Sequence, residues 1–207
     1  KSIMCCKNAV IQRDLKNVME KYGIDFSVAK NFRGAPVQGY ISQKSDGIYQ
    51  MVLTIRGAFA DIFWFSLFHE IGHIVNGDIG KNLKFLDYGN DQDKELAADL
   101  FASNMLLSPE SYEMFIQKKD FSIEAICRYA ESQNVMPYIV IGRLQKEKYL
   151  DYKKLAEAGY SKADWKCLAE PTYLPIPRIL TQNEDSINDV VIFAVDLLKT
   201  RAEDFRI

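Results

Sequence analysis

The chemistry-bearing residues of this 207-residue chain are concentrated in one short run, His69-Glu70-Ile71-Gly72-His73. On an α-helix, residues four apart leave the same face, so both imidazoles can point at a single ion. Glu70 is rotated by about 100° from His69, near enough to reach a water held on that ion. This is the H-E-x-x-H arrangement with which zinc hydrolases hold their metal. The flanking sequence sharpens the reading. Residues 62–75 run I-F-W-F-S-L-F-H-E-I-G-H-I-V, nine of them apolar, and contain the only two histidines of the chain. Two imidazoles and a carboxylate in so apolar a helix are costly to bury without partners. A metal ion supplies those partners; the bland alternative is a buried helix whose polar groups are satisfied by neighbouring side chains.

A catalytic zinc takes three protein ligands and keeps a fourth position for water. With no third histidine present, the missing ligand must be a carboxylate or a thiolate. The second informative stretch is K-E-L-A-A-D-L-F-A-S-N-M-L-L, residues 94–107, preceded by Asp91 and Asp93 and closed by Ser108-Pro109. It reads as a helix. Glu95 and Asp99 share one of its faces at i, i+4, beside the small residues Ala98 and Ala102, which would allow a close approach to the first helix. Glu95 is the expected third ligand, against the competing reading of a first-turn glutamate favoured by the helix dipole. The spacing is similar to a thermolysin-like pattern, in which an Asp four residues after a Glu ligand holds a ligand histidine. Asp99 is expected in that role, or else as a plain surface carboxylate.

Several elements must position these groups. Residues 8–22 have helical spacing and stop at Gly23, and 32–36 read as a loop. Residues 39–42 and 48–55 read as two strands joined through Lys44-Ser45-Asp46-Gly47, a hairpin signal. Both faces of 48–55 are apolar. It is offered as a strand that binds a substrate backbone by strand addition, with an ordinary core strand as the competing reading. Asp61 could cap the metal helix, Asn76-Gly77 would end it, and 78–92 form a polar linker. Short helices are expected over 121–133 and 137–146. Residues 151–169 and 188–200 read as helices flanking a proline-punctuated stretch over 170–177. The expected fold is α+β: a small antiparallel sheet packed beside a helical bundle that carries the metal helix. Residues 1–150 form the expected domain around the metal helix and 151–207 a C-terminal helical extension.

Composition narrows the class. Hydrophobic residues make up 48% and charged residues 26%, and the formal net charge is −2. These values are ordinary for a globular protein and give no general attraction to nucleic acid or anionic membranes. No apolar run is long enough to span a bilayer. The four cysteines, Cys5, Cys6, Cys127 and Cys167, include no C-x-x-C and read as reduced thiols of a cytoplasmic protein.

The pairing of F-W-F-S-L-F-H-E-I-G-H-I-V with E-L-A-A-D-L-F-A-S-N-M-L-L-S-P resembles the ImmA/IrrE-type metallo-endopeptidases. Their motif is H-E-x-x-H followed by roughly E-x-x-A-N-x-F-A-x-x-L-L-M-P. Glu95, Ala98, Phe101, Ala102, Leu106, Leu107 and Pro109 match it, while Asp99 stands for the usual Asn and Ser108 for the usual Met. The likeness covers roughly residues 35–150 and includes the pair Arg143-Leu144. It implies that Arg143 steadies a substrate carbonyl or the developing oxyanion, against the reading of a surface arginine; Tyr88 or Tyr138 could serve instead.

The chemistry expected is peptide hydrolysis. Zn²⁺ would be held by His69, His73 and Glu95, with Glu70 taking a proton from water and passing it to the leaving amine. The resemblance further implies a selective endopeptidase whose substrate is a repressor- or antitoxin-like protein, in a stress-response or toxin–antitoxin system. A DNA-binding domain is expected ahead of Lys1, with no direct nucleic-acid binding by this region. The alternative from another class is a non-proteolytic regulatory or antitoxin module that keeps the metallopeptidase fold.

Overall fold

The computed structural model of the protein describes residues 1, 3–4, 11–30, 38–55, 60–79, 84–86 and 91–150. The fold is α+β. In chain order the elements are α1 (Ile11–Glu20), β1 (Ile24–Lys30), β2 (Gly39–Gln43), β3 (Tyr49–Ile55), α2 (Ala60–Val75) and β4 (Lys84–Leu86). Four helices follow: α3 (Gln92–Leu106), α4 (Pro109–Gln117), α5 (Ile123–Ser132) and α6 (Pro137–Lys146). The loop over 32–36 and the extension over 151–207 lie outside the described residues.

The sheet has the order β1-β3-β2-β4. The Lys44–Gly47 turn folds β2 back on β3, with Gly47 at φ +88° and its N–H donating to the Lys44 carbonyl at 3.0 Å. β2 and β4 pair antiparallel, but β1 runs parallel to β3, so the sheet is mixed rather than antiparallel. β1 has its own period-2 signal: Ile24, Phe26 and Val28 are buried and alternate with Asp25 and Ser27. One expectation is overturned. β3 is bonded on both sides, to β1 and to β2, so residues 48–55 have no edge to offer a substrate backbone. Met51 and Leu53 are fully buried, and the segment is a core strand.

α2 is the element around which the rest packs. It touches α3, α6, β2 and β3. Trp64 and Leu67 enter the main core together with Ile41, Met51 and Leu53 of the sheet. The helix starts at Ala60, which places Asp61 in its first turn rather than at the cap. At the other end Gly77 takes φ +74°, and the Asp78 N–H returns to the His73 carbonyl at 3.0 Å. A glycine in the left-handed region is the usual way to close a helix, because other residues pay a Cβ clash there.

α3 begins at its N-cap Asp91, whose side chain accepts from the Lys94 N–H. Its buried stripe is Ala98, Ala102 and Leu106, while Leu96 and Leu100 are exposed. The stripe lies on α2 at backbone distance. A Cβ built at Gly72 would stand 3.2 Å from Ala98 Cα and 3.3 Å from its carbonyl oxygen. Neither atom can move without shifting a helix. Gly72→Val should therefore destabilise the protein by about 2–3 kcal/mol through overpacking, read as a lower urea midpoint. An unchanged midpoint would mean that the helices tolerate separation at this point.

Candidate metal centre

The one-turn offset on α2 and the return of α3 bring three ligand atoms together. His69 Nε2 lies 3.0 Å from His73 Nε2. Glu95 offers Oε2 at 3.2 Å from His69 Nε2 and Oε1 at 3.7 Å from His73 Nε2. Tetrahedral zinc with bonds near 2.0–2.1 Å separates its ligand atoms by about 3.3 Å, so the observed triangle is of the right size. His69, His73 and Glu95 could hold a metal ion.

Proton bookkeeping points the same way. His69 Nδ1 is 2.9 Å from Asp99 Oδ1, and His73 Nδ1 is 2.9 Å from Asp78 Oδ2. Ionised carboxylates only accept, so each Nδ1 is the donor, and in a neutral imidazole the facing Nε2 then carries a lone pair. Two lone pairs and the carboxylate of Glu95 converging on one point repel each other unless a cation sits among them. His73 is 1% exposed and His69 7%, so water relieves little of that repulsion.

The electrostatics agree. Burial pulls the His69 pKa down, but the Asp99 hydrogen bond and the charges of Glu70, Asp99 and Glu95 more than offset it, for a net rise. The same carboxylates that favour positive charge on His69 would favour a metal ion between the two rings. The Asp99 carboxyl is held below its ordinary value, first by the His69 hydrogen bond and then, against burial, by the charge of Lys146.

Glu70 is 2% exposed and lines a pocket of about 240 Å³ together with His69, Glu95, Asp99, Gln38, Phe65 and Ser66. Its carboxylate sits directly over the Cα of Gly39 at the start of β2. A Cβ at that position would lie 2.6 Å from Glu70 Cδ. The absence of a side chain at 39 is what gives Glu70 its seat.

The structure does not bring Arg143 into this pocket. Its Nε pairs with Glu147 Oε1 at 2.9 Å, Nη1 donates to the Ser103 carbonyl at 3.2 Å, and the guanidinium lies 3.9 Å above the Tyr112 ring. Arg143 lines an adjoining cleft. The cation that reaches the pocket wall is Lys146, 3.6 Å from Asp99 Oδ2 and 4.4 Å from the Phe65 ring centre. Tyr138 is a buried core residue, and Tyr88 lies outside the described residues. Asp78 is the site residue that the sequence reading misses. Its only signal is its place just after Asn76-Gly77, where a helix-ending turn can bend back on the last histidine. Phe65, Ser66, Gln38 and Lys146 carry no pattern that sets them apart in the sequence.

No protein-family model and no curated protein matches the sequence. The case for the site therefore rests on its geometry. Two aspartates, Asp78 and Asp99, orient the imidazoles from behind. Such partners typically contribute 10–100-fold to metal affinity. Asp78→Asn and Asp99→Asn should each weaken divalent-metal binding by about that factor, measured by competition with a chromophoric chelator. Unchanged affinity in both variants would remove the imidazoles from the ligand set.

Proposed function

We propose that this chain is a zinc-dependent endopeptidase that hydrolyses a peptide bond in a specific regulatory protein of the cytoplasm, of the repressor or antitoxin type. The observation that carries the reading is the meeting of His69, His73 and Glu95 at one point with the buried Glu70 in the same pocket. A structural metal site needs no fourth, non-ligating carboxylate. An open hydrolytic site does. Two imidazoles and a carboxylate suit zinc.

The division of labour follows from positions. Asp99 and Asp78 hold the two imidazoles in the tautomer that presents Nε2. Bound zinc supplies Lewis acidity, polarising a carbonyl and lowering the pKa of water. Glu70, seated on Gly39, takes the proton from the attacking water and delivers it to the departing amine. The choice of a regulatory substrate follows the resemblance of residues 63–75 and 95–109 to the ImmA/IrrE-type enzymes. Arg143, committed to Ser103, Glu147 and Tyr112, shapes the neighbouring cleft instead of the oxyanion site.

Glu70→Gln separates catalysis from binding, because the amide keeps the shape and loses the base. The variant should retain one equivalent of zinc while cleavage falls by about 10²–10⁴-fold. The readout is mass spectrometry of new protein N-termini in cells expressing either form, beside elemental analysis of both. Identical N-terminal profiles, with biological function intact in the variant, would instead support the non-proteolytic regulatory module.

A further inference from the structure

Beside the metal pocket lies a second, larger cleft of about 680 Å³, bounded by α2, α3 and α6. The two spaces share Gln38, Phe65 and Asp99 as a common wall, so a chain lying across one leads into the other. Ile62, Phe65, Leu106, Leu107 and Ile139 make much of the cleft apolar. Its volume is that of a site taking a small ligand or a piece of peptide.

The charges of the lining do not balance. Glu147 is paired with Arg143, and Asp99 with Lys146. Asp61 is left over. Among the described residues it has no ion-pair partner, and its carboxylate accepts only from the backbone N–H groups of Asp61 and Ile62. On its far side it lies against α6, where a Cβ at Gly142 would stand 3.1 Å from both Asp61 Cβ and Cγ. Glycine at 142 thus leaves room for the acid at the α2–α6 contact. Burial pushes the Asp61 carboxyl above its ordinary value, against the two backbone hydrogen bonds. A partly desolvated carboxylate without a counter-ion gains most from a cation brought to it.

We propose that this cleft is a subsite for a cationic side chain, arginine or lysine, of a protein segment lying across the metal pocket, with Asp61 as its counter-ion. The aliphatic stem of such a side chain packs along Ile62 and Phe65 while its charged head reaches Asp61. Arginine is favoured, because its planar head matches a carboxylate in two-point geometry. Arg143 and Lys146 do not oppose this, since each already faces its own carboxylate. That the segment is a substrate rests on the peptidase reading; the cationic preference rests on the cleft alone.

The test needs no turnover, so it stands apart from the fate of the peptidase reading. The full chain, ¹⁵N-labelled, is titrated with the peptide acetyl-Ala-Arg-Ala-amide and with its citrulline counterpart, a neutral isostere. The arginine peptide should bind about tenfold more tightly or better, shifting the amides of Ile62, Phe65 and Gly142. In Asp61→Asn that preference should vanish. Should the variant fail to fold, the two peptides on the wild-type protein decide alone. Equal affinity for both, a preference that survives in Asp61→Asn, or no saturable binding would each overturn the proposal.

Discussion

The contact between Gly72 on α2 and Ala98 on α3 sets the distance on which the metal centre depends. A helix pair separated by ordinary side chains lies about 8–10 Å apart, axis to axis. Here a glycine meets the backbone of an alanine, and Ala98 and Ala102 are fully buried. Only so close an approach lets a glutamate reach ligand distance of two histidines on the neighbouring helix. Glu95, Asp99 and Ala102 follow one another along the same stripe of α3. One face of that helix therefore supplies a ligand, the residue that orients a ligand, and the small surface that permits both.

The polar residues of this core are tolerable because each answers another. Among the described residues four polar ones are buried, Ser66, His69, Glu70 and His73, and three of them are the H-E-x-x-H set. Asp99 and Asp78 meet the imidazoles from outside, and Glu95 meets them from inside. The result is a concentration of negative charge around two imidazoles, which costs folding free energy unless positive charge is held there. Stability and metal occupancy are therefore coupled at this site through the same residues.

The two cations of α6 sit differently with respect to the metal pocket and the neighbouring cleft. Arg143 belongs to the cleft, where Glu147, Ser103 and Tyr112 hold it. Lys146, one turn further along α6, stands at the shared wall and touches Asp99. The resemblance singles out Arg143, whereas the cation of α6 at the wall of the metal pocket is Lys146. That depends on the rotation of α6 about its axis, which is set by the burial of Tyr138, Ile141 and Leu144 in the core.

Much of this protein was legible in one dimension. The i, i+4 histidines, the interposed glutamate and the later Glu-x-x-x-Asp pair announce a candidate metal site through helical periodicity, which is a local property. The α+β class, the hairpin at Gly47 and the bounds of α6 follow from the same kind of signal. What lay beyond reach was non-local. Nothing near residues 24–30 says that they run parallel to β3, and nothing within 48–55 says that both of its edges are taken. The partnership of Asp78 with His73 needs the turn at Gly77 to be built first. The seat of Glu70 on Gly39 joins two elements with no shared sequence pattern. Those facts are decided by packing, because only the folded chain determines which surfaces meet and which charges are left facing each other.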